Sequence, residues 1–179
     1  MNVILFGFKG CGKTHFGRLL ASRINKPFID TDDLIMDLYA ETGHRLPVRE
    51  IYQILGEKKF RLLETDAIHR LADMTESVIA LGGGAALNSE HVAFLQKLGQ
   101  MVYLEASFET IQKRILKQGV PPFVEANNPI ESLRKIYHER KPVYESIFAC
   151  RINTDLFDEE GVIAALISII YREEPPNGF

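Results

Sequence analysis

Short apolar runs closed by glycine or by acidic residues alternate along this chain with longer segments whose apolar side chains return every three or four positions. The first pattern fits strands buried on both faces of a parallel sheet, and the second fits helices packed across it. Strands are predicted at Val3 to Phe6, at Phe28-Ile29 leading into Asp30-Thr31-Asp32-Asp33, at Ser77 to Leu81, at Met101 to Leu104 and at Cys150 to Ile152. Phe16, Leu19, Leu20 and Ile24 mark a helix behind the first strand. Asp33 to Tyr39 reads as another, ending near Gly43, with Asp33 suited to cap it. From Leu46 to Met74 no strand signal occurs, and Ile51, Ile54, Phe60, Leu63, Ile68 and Leu71 recur at helical intervals. That stretch is a helical insertion between the second and third strands. Asn88 or Ser89 caps the next helix, and Ser107 caps one that runs to about Lys117. Gln118 to Pro129 is loop-like; helical patterning resumes from Ile130 to Phe148, interrupted at Pro142, and Glu159 to Tyr171 forms the last helix. The alternation implies an α/β fold of three layers, α/β/α, around a five-stranded parallel sheet. A single domain over residues 1–172 is expected, with 173–179 a frayed tail.

The junction after the first strand adds chemistry to this outline. Gly7-x4-Gly12-Lys13-Thr14 fits the phosphate-binding loop pattern. Glycines let the backbone N–H groups of Gly10, Cys11, Gly12, Lys13, Thr14 and His15 converge on phosphate oxygens, at a helix start that carries partial positive charge. Lys13 would reach the β- and γ-phosphates and the Thr14 hydroxyl would ligate Mg²⁺. A glycine-rich turn that merely precedes a Lys-Thr helix start is the plain alternative; the strand before and the helix after argue for a nucleotide site. Asp30 and Asp32 follow the second strand, on the edge where parallel sheets bind ligands. They also fit a helix cap with acidic first-turn residues.

Charge and cysteine usage narrow the setting. A net charge of −3 gives no broad attraction to nucleic acid or anionic membrane, so a polyphosphate site must concentrate its positive charge locally. Cys11 sits within the phosphate loop and Cys150 far from it, without metal-ligand spacing, which favours a reducing compartment. Met1 runs almost directly into the first strand and no apolar run approaches a membrane span, so a cytoplasmic protein is expected.

Beyond the phosphate loop, Asp30-Thr31-Asp32, the segment Gly56-Glu57-x2-Phe60-Arg61-x2-Glu64, the run Leu81-Gly82-Gly83-Gly84-Ala85 and Glu139-Arg140-Lys141-Pro142-Val143-Tyr144 occur in that order. Together they resemble shikimate kinase, a small member of the nucleoside-monophosphate-kinase-like fold, over about residues 2 to 155. The resemblance implies sheet order 2-3-1-4-5, ATP as co-substrate, Mg²⁺, and transfer of the γ-phosphoryl group to the 3-hydroxyl of shikimate in aromatic amino-acid biosynthesis. It implies a substrate-binding region at about 32–75 and a mobile lid at about 118–129. Arg61 and Arg140 would fork onto the substrate carboxylate, with Glu64 orienting Arg61. Asp32 would accept the proton of the reacting hydroxyl, with Lys13 as its catalytic partner on the phosphates. Asp30 would hold Mg²⁺ through water beside Thr14, Gly82 to Gly84 would let the backbone approach the ring with N–H groups free to donate, and Arg114 would pack on adenine. No nucleic-acid or membrane partner is implied, and a monomer is expected. The same arginines also fit plainer roles: Arg61 in pairs with Glu57 or Glu64, and Arg140 in a basic face with Arg134, Lys135 and Lys141.

The lid departs from the family pattern. An Arg-Pro pair is usual there; this chain has Val120-Pro121-Pro122-Phe123, and nothing basic lies between Gln118 and Asn128. Leu156 stands where an arginine usually follows the adenine-contacting Asn153-Thr154-Asp155. These departures keep two alternatives open, a catalytically impaired nucleotide- and shikimate-binding module and a kinase for another small hydroxylated anion. Lys117, just before the loop, or another basic side chain would have to supply the missing charge.

Overall fold

Asn2–Phe6 (β1) is buried along its whole length, as a strand flanked on both edges and covered on both faces must be. The computed structural model describes residues 1–119, 121, 124 and 127–171. Around β1 lie Phe28–Asp30 (β2), Val78–Ala80 (β3), Gly99–Glu105 (β4) and Cys150–Asn153 (β5), all parallel, in the order β2-β3-β1-β4-β5. The five strands and their order agree with the sequence reading. Lys13–Arg23 (α1), Thr31–Ala40 (α2), Val48–His69 (α3), Ser89–Leu98 (α4), Phe108–Gln118 (α5), Pro129–Ser146 (α6) and Glu159–Ile170 (α7) connect and cover them. At the amino end of the sheet the buried Asn2 side chain donates to the carbonyls of Met74 (2.7 Å) and Leu98 (3.2 Å) and accepts the Ser77 N–H (3.0 Å). One polar residue thereby fixes the entries to β1, β3 and β4, and leaves the opposite end of the sheet to ligands.

Two apolar clusters divide the interior. The larger encloses the sheet; the smaller joins Ile35 of α2 to Ile51, Phe60 and Ala67 of α3. The insertion after β2 therefore has a core of its own. Within α3 the backbone breaks at Gly56 (φ 70°, ψ 168°), a conformation that L side chains rarely adopt. Across that break the Tyr52 and Phe60 rings meet edge to face at 5.2 Å.

Two boundaries differ from the expectations. α2 starts at Thr31, so Asp30 and not Asp33 is its cap, accepting the Asp32 N–H at 3.0 Å. Asp33 instead faces Arg45 at 3.3 Å from the first turn. α6 runs through Pro142 without interruption, because burial of Leu133, Tyr137 and Tyr144 along one face outweighs a single missing helical donor. Of the expected lid, residues 120, 122, 123, 125 and 126 lie outside the described residues, as does the tail from 172 onward. Pro121 and Val124 are buried and joined by a Val124 N–H to Pro121 carbonyl bond of 3.1 Å.

Candidate active site

The loop between β1 and α1 takes the shape its glycines permit, with φ of 139°, 89° and 104° at Gly7, Gly10 and Gly12. Lys13 is only 7% exposed, and its ammonium donates to the Gly7 (2.9 Å) and Phe8 (3.0 Å) carbonyls. The Thr14 hydroxyl donates to Asp30 Oδ2 at 2.8 Å, while Asp30 Oδ1 caps α2. Asp30 thus caps the helix with one oxygen and meets the Thr14 hydroxyl with the other. Two hard oxygen donors, Thr14 Oγ1 and Asp30, stand side by side at the foot of the loop. They suit Mg²⁺, which takes few protein ligands and completes its shell with phosphate and water. Consistently, no group of three or more His, Cys, Asp or Glu among the described residues forms a metal cage. The Arg114 guanidinium donates to the Gly10 carbonyl at 3.0 Å and so braces the loop from α5. His15 contacts Glu159 of α7 at 2.6 Å, which leaves its backbone as the part that faces the loop. These residues line a cleft of about 820 Å³, with Thr154 and Phe157 at its far side, room enough for a nucleotide. The loop that carries Thr154 is tied down by Asp155, which accepts the Ser107 N–H at 2.7 Å.

A second, tighter cavity of about 100 Å³ adjoins it, lined by Asp32, Arg61, Arg140, Gly82, Gly83 and Gly84 among others. The Tyr52 and Phe60 rings form its apolar wall. Arg61 is held by Glu64, whose carboxylate accepts its Nη1 at 2.7 Å and is itself buried. Arg61 therefore pairs with Glu64 and still lines the cavity, so the two sequence readings of this residue coexist. The basic residues of α6 part company: Lys141 pairs with Glu105 (2.7 Å), Arg134 lies over the Phe108 ring (4.3 Å), and Arg140 turns to the cavity over the Phe8 ring (5.9 Å).

The triple glycine has a reason within the protein itself. A Cβ on Gly82 would stand 2.7 Å from Asp32 Oδ1, and one on Gly84 2.5 Å from Arg61 Nη1. The glycines make room for the site's own side chains. The Gly82 N–H donates to Thr31 Oγ1 at 2.7 Å, so it is not free for a ring, contrary to the sequence reading. Burial pushes the Asp32 carboxyl up to about 6, helped by the neighbouring Asp30 and Glu64 charges and opposed by Lys9 and Lys13. Asp32, Gly82, Gly83 and Lys9 line both cavities, so the two spaces meet at Asp32.

Sequence reasoning missed Lys9, Arg49 and Tyr144 as site residues. Lys9 and Arg49 line the smaller cavity, and the buried Tyr144 donates its hydroxyl to the Gly83 carbonyl at 2.5 Å, fixing the glycine turn from α6. The available signal for Lys9 was a charge inside the phosphate loop at a position where the loop's own chemistry needs none.

Similarity to known proteins points the same way. The sequence model of the family described as shikimate kinase matches residues 9–171. The chain is 35% identical over 173 residues to a shikimate kinase of Caldicellulosiruptor saccharolyticus, covering 97% of each chain. It is 37% identical over 169 residues to one of Symbiobacterium thermophilum, covering 93% of this chain and 94% of that one. Among solved structures, a shikimate kinase from Acinetobacter baumannii in complex with shikimate superposes with a TM-score of 0.82 at 29% identity, over 94% of this chain and 92% of that one.

Proposed function

The chain belongs to the shikimate kinase family of ATP-dependent phosphotransferases, and on that premise we propose how its own residues bind and phosphorylate shikimate. The observation that carries the reading is the meeting of the two cavities at Asp32, with two guanidinium groups on one side and the phosphate loop on the other. ATP lies in the larger cleft, its phosphates on the loop N–H groups and Lys13. On ATP binding the Lys13 ammonium exchanges the Gly7 and Phe8 carbonyls for phosphate oxygens. Arg114, already braced on Gly10, borders the nucleotide cleft where adenine would stack. Thr14 and Asp30 are the residues suited to hold Mg²⁺, which when bound supplies charge neutralisation across the β- and γ-phosphates.

Shikimate occupies the smaller cavity with its carboxylate on Arg61 and Arg140 and its ring against Tyr52 and Phe60. Asp32 receives the 3-hydroxyl. As that oxygen forms its bond to the γ-phosphorus, the bond from phosphorus to the bridging oxygen of ADP breaks and the hydroxyl proton passes to Asp32. A carboxyl titrating near 6 is mostly ionised at neutral pH yet basic enough to take that proton. The region that holds the acceptor is the insertion at about 32–75. Among the described residues no helix is long and apolar enough to cross a membrane.

Steady-state ADP release with Mg²⁺, ATP and a panel of shikimate, gluconate and nucleoside monophosphates tests the reading. Release that depends on shikimate and disappears in Lys13→Ala supports it. Preference for another acceptor, or release indifferent to shikimate, overturns it.

A further inference from the structure

A phosphoryl group in transfer spreads negative charge over its equatorial oxygens, and a cation beside it at that moment is worth orders of magnitude in rate. The cations lining the nucleotide cleft are Lys9, Lys13 and Arg114; those lining the acceptor cavity are Lys9, Arg49, Arg61 and Arg140. Lys9 alone lines both. Of the others, Lys13 and Arg114 bond the loop carbonyls, Arg61 bonds Glu64, and Arg49 and Arg140 line the acceptor cavity alone. The Lys9 ammonium makes no hydrogen bond or ion pair among the described residues, and its side chain is exposed above the junction. Its backbone lies close against the glycine turn, because a Cβ on Gly83 would come within 3.2 Å of the Lys9 backbone nitrogen and 3.5 Å of its Cβ. Asp32, the residue shared by both cavities, already feels its charge. The segment 118–129 contains no lysine or arginine at all.

We propose that Lys9 is a further catalytic residue, whose ammonium holds the γ-phosphoryl group as it crosses from the nucleotide cleft to the acceptor cavity. The assignment rests on the shikimate reading above. In the step, the acceptor oxygen bonds to phosphorus, the bond to the ADP oxygen breaks, the hydroxyl proton goes to Asp32, and Lys9 remains protonated throughout. The lysine donates its N–H bonds to the equatorial oxygens, which carry more charge in flight than in bound ATP. Its contribution therefore falls on kcat and leaves ground-state binding of ADP and acceptor almost untouched.

The experiment compares Lys9→Met and Lys9→Arg with the parent enzyme in the shikimate-dependent assay, together with ADP affinity by calorimetry. Shikimate turnover by the parent tests the functional reading; a loss confined to Lys9→Met in an active parent tests Lys9. The expected result is a fall in kcat of at least about tenfold in Lys9→Met, with ADP affinity and the KM for shikimate within about threefold of the parent. Lys9→Arg, which restores the charge, recovers most of the rate. A kcat within about threefold of the parent in Lys9→Met overturns the proposal, as does a loss confined to the KM for shikimate, or Lys9→Arg no better than Lys9→Met.

Discussion

The nucleotide side and the acceptor side of this site are built on opposite plans. The phosphate end of the nucleotide side is one contiguous loop, Gly7 to Thr14, rich in backbone N–H groups and with its conformation dictated by glycines at positive φ. The acceptor side is assembled from four separate elements: Asp32 from α2, Arg61 from α3, the glycine turn after β3 and Arg140 from α6. It is also far smaller, about 100 Å³ against about 820 Å³, and walled by the insertion's own small core. A universal phosphate tail can be gripped by generic backbone. A small anionic polyol has to be read by side chains, and those side chains need neighbours to hold them. Glu64 holds Arg61, Thr31 holds Gly82 and Tyr144 holds Gly83.

Substitutions at the shared point should be the most damaging, since they strike both plans. Asp32→Asn removes the proton acceptor and should lower kcat by about 10²–10⁴, and Lys13→Ala should be comparably severe, with the circular-dichroism spectrum of each unchanged. On the acceptor side alone, Arg61→Ala or Arg140→Ala removes one charged contact of about 1.5–3 kcal/mol. The KM for shikimate should then rise by about tenfold to a hundredfold, while ADP affinity measured by calorimetry stays put. Gly84→Ala should act on the same parameter more weakly, by about three- to tenfold. The new methyl group displaces the Arg61 guanidinium that now sits 2.5 Å from its position. If either substitution moved ADP affinity as much as the KM for shikimate, the separation of the two sides would be wrong.

The smallest expected effect concerns stability. With no ligand bound, Asp32 titrates near 6 in the folded chain and near 3.8 when unfolded, because burial disfavours its charged form. Between those values the folded state holds the extra proton, so this group makes stability fall as pH rises from about 4 to about 6. Asp32→Asn removes that cost and should stabilise the ligand-free protein at pH 7 by about 1–2 kcal/mol, with the advantage fading toward pH 4. Urea unfolding of both proteins at the two pH values measures it. An inactive variant that is more stable than its parent would mark Asp32 as a residue kept for chemistry.

The asymmetry also explains what could be read from the sequence. Strand positions, sheet order and the phosphate loop follow from short-range patterns and from the family resemblance, and the structure agrees with them. Asp32, Arg61, the three glycines and Arg140 were legible only as a set, because their meeting in one cavity depends on long-range packing. Two details were beyond local reasoning. The Gly56 break in α3 is invisible to an apolar periodicity that continues across it, and the run of α6 through Pro142 is decided by buried contacts around Tyr144. The glycine triplet was singled out, but the Gly82 N–H is taken by Thr31, and the triplet also accommodates Asp32, Lys9 and Arg61, from elements far apart in the chain.

The central claim is that guanidinium groups hold the acceptor's acid while Asp32 meets its alcohol. Calorimetric titration of shikimate into Arg61→Ala and Asp32→Asn, each saturated with ADP and Mg²⁺, tests it directly. The account predicts that Arg61→Ala weakens shikimate binding by at least about tenfold, whereas Asp32→Asn binds within about threefold of the parent although its turnover falls by about 10²–10⁴. Full-strength binding to Arg61→Ala, with binding lost in Asp32→Asn, would contradict it.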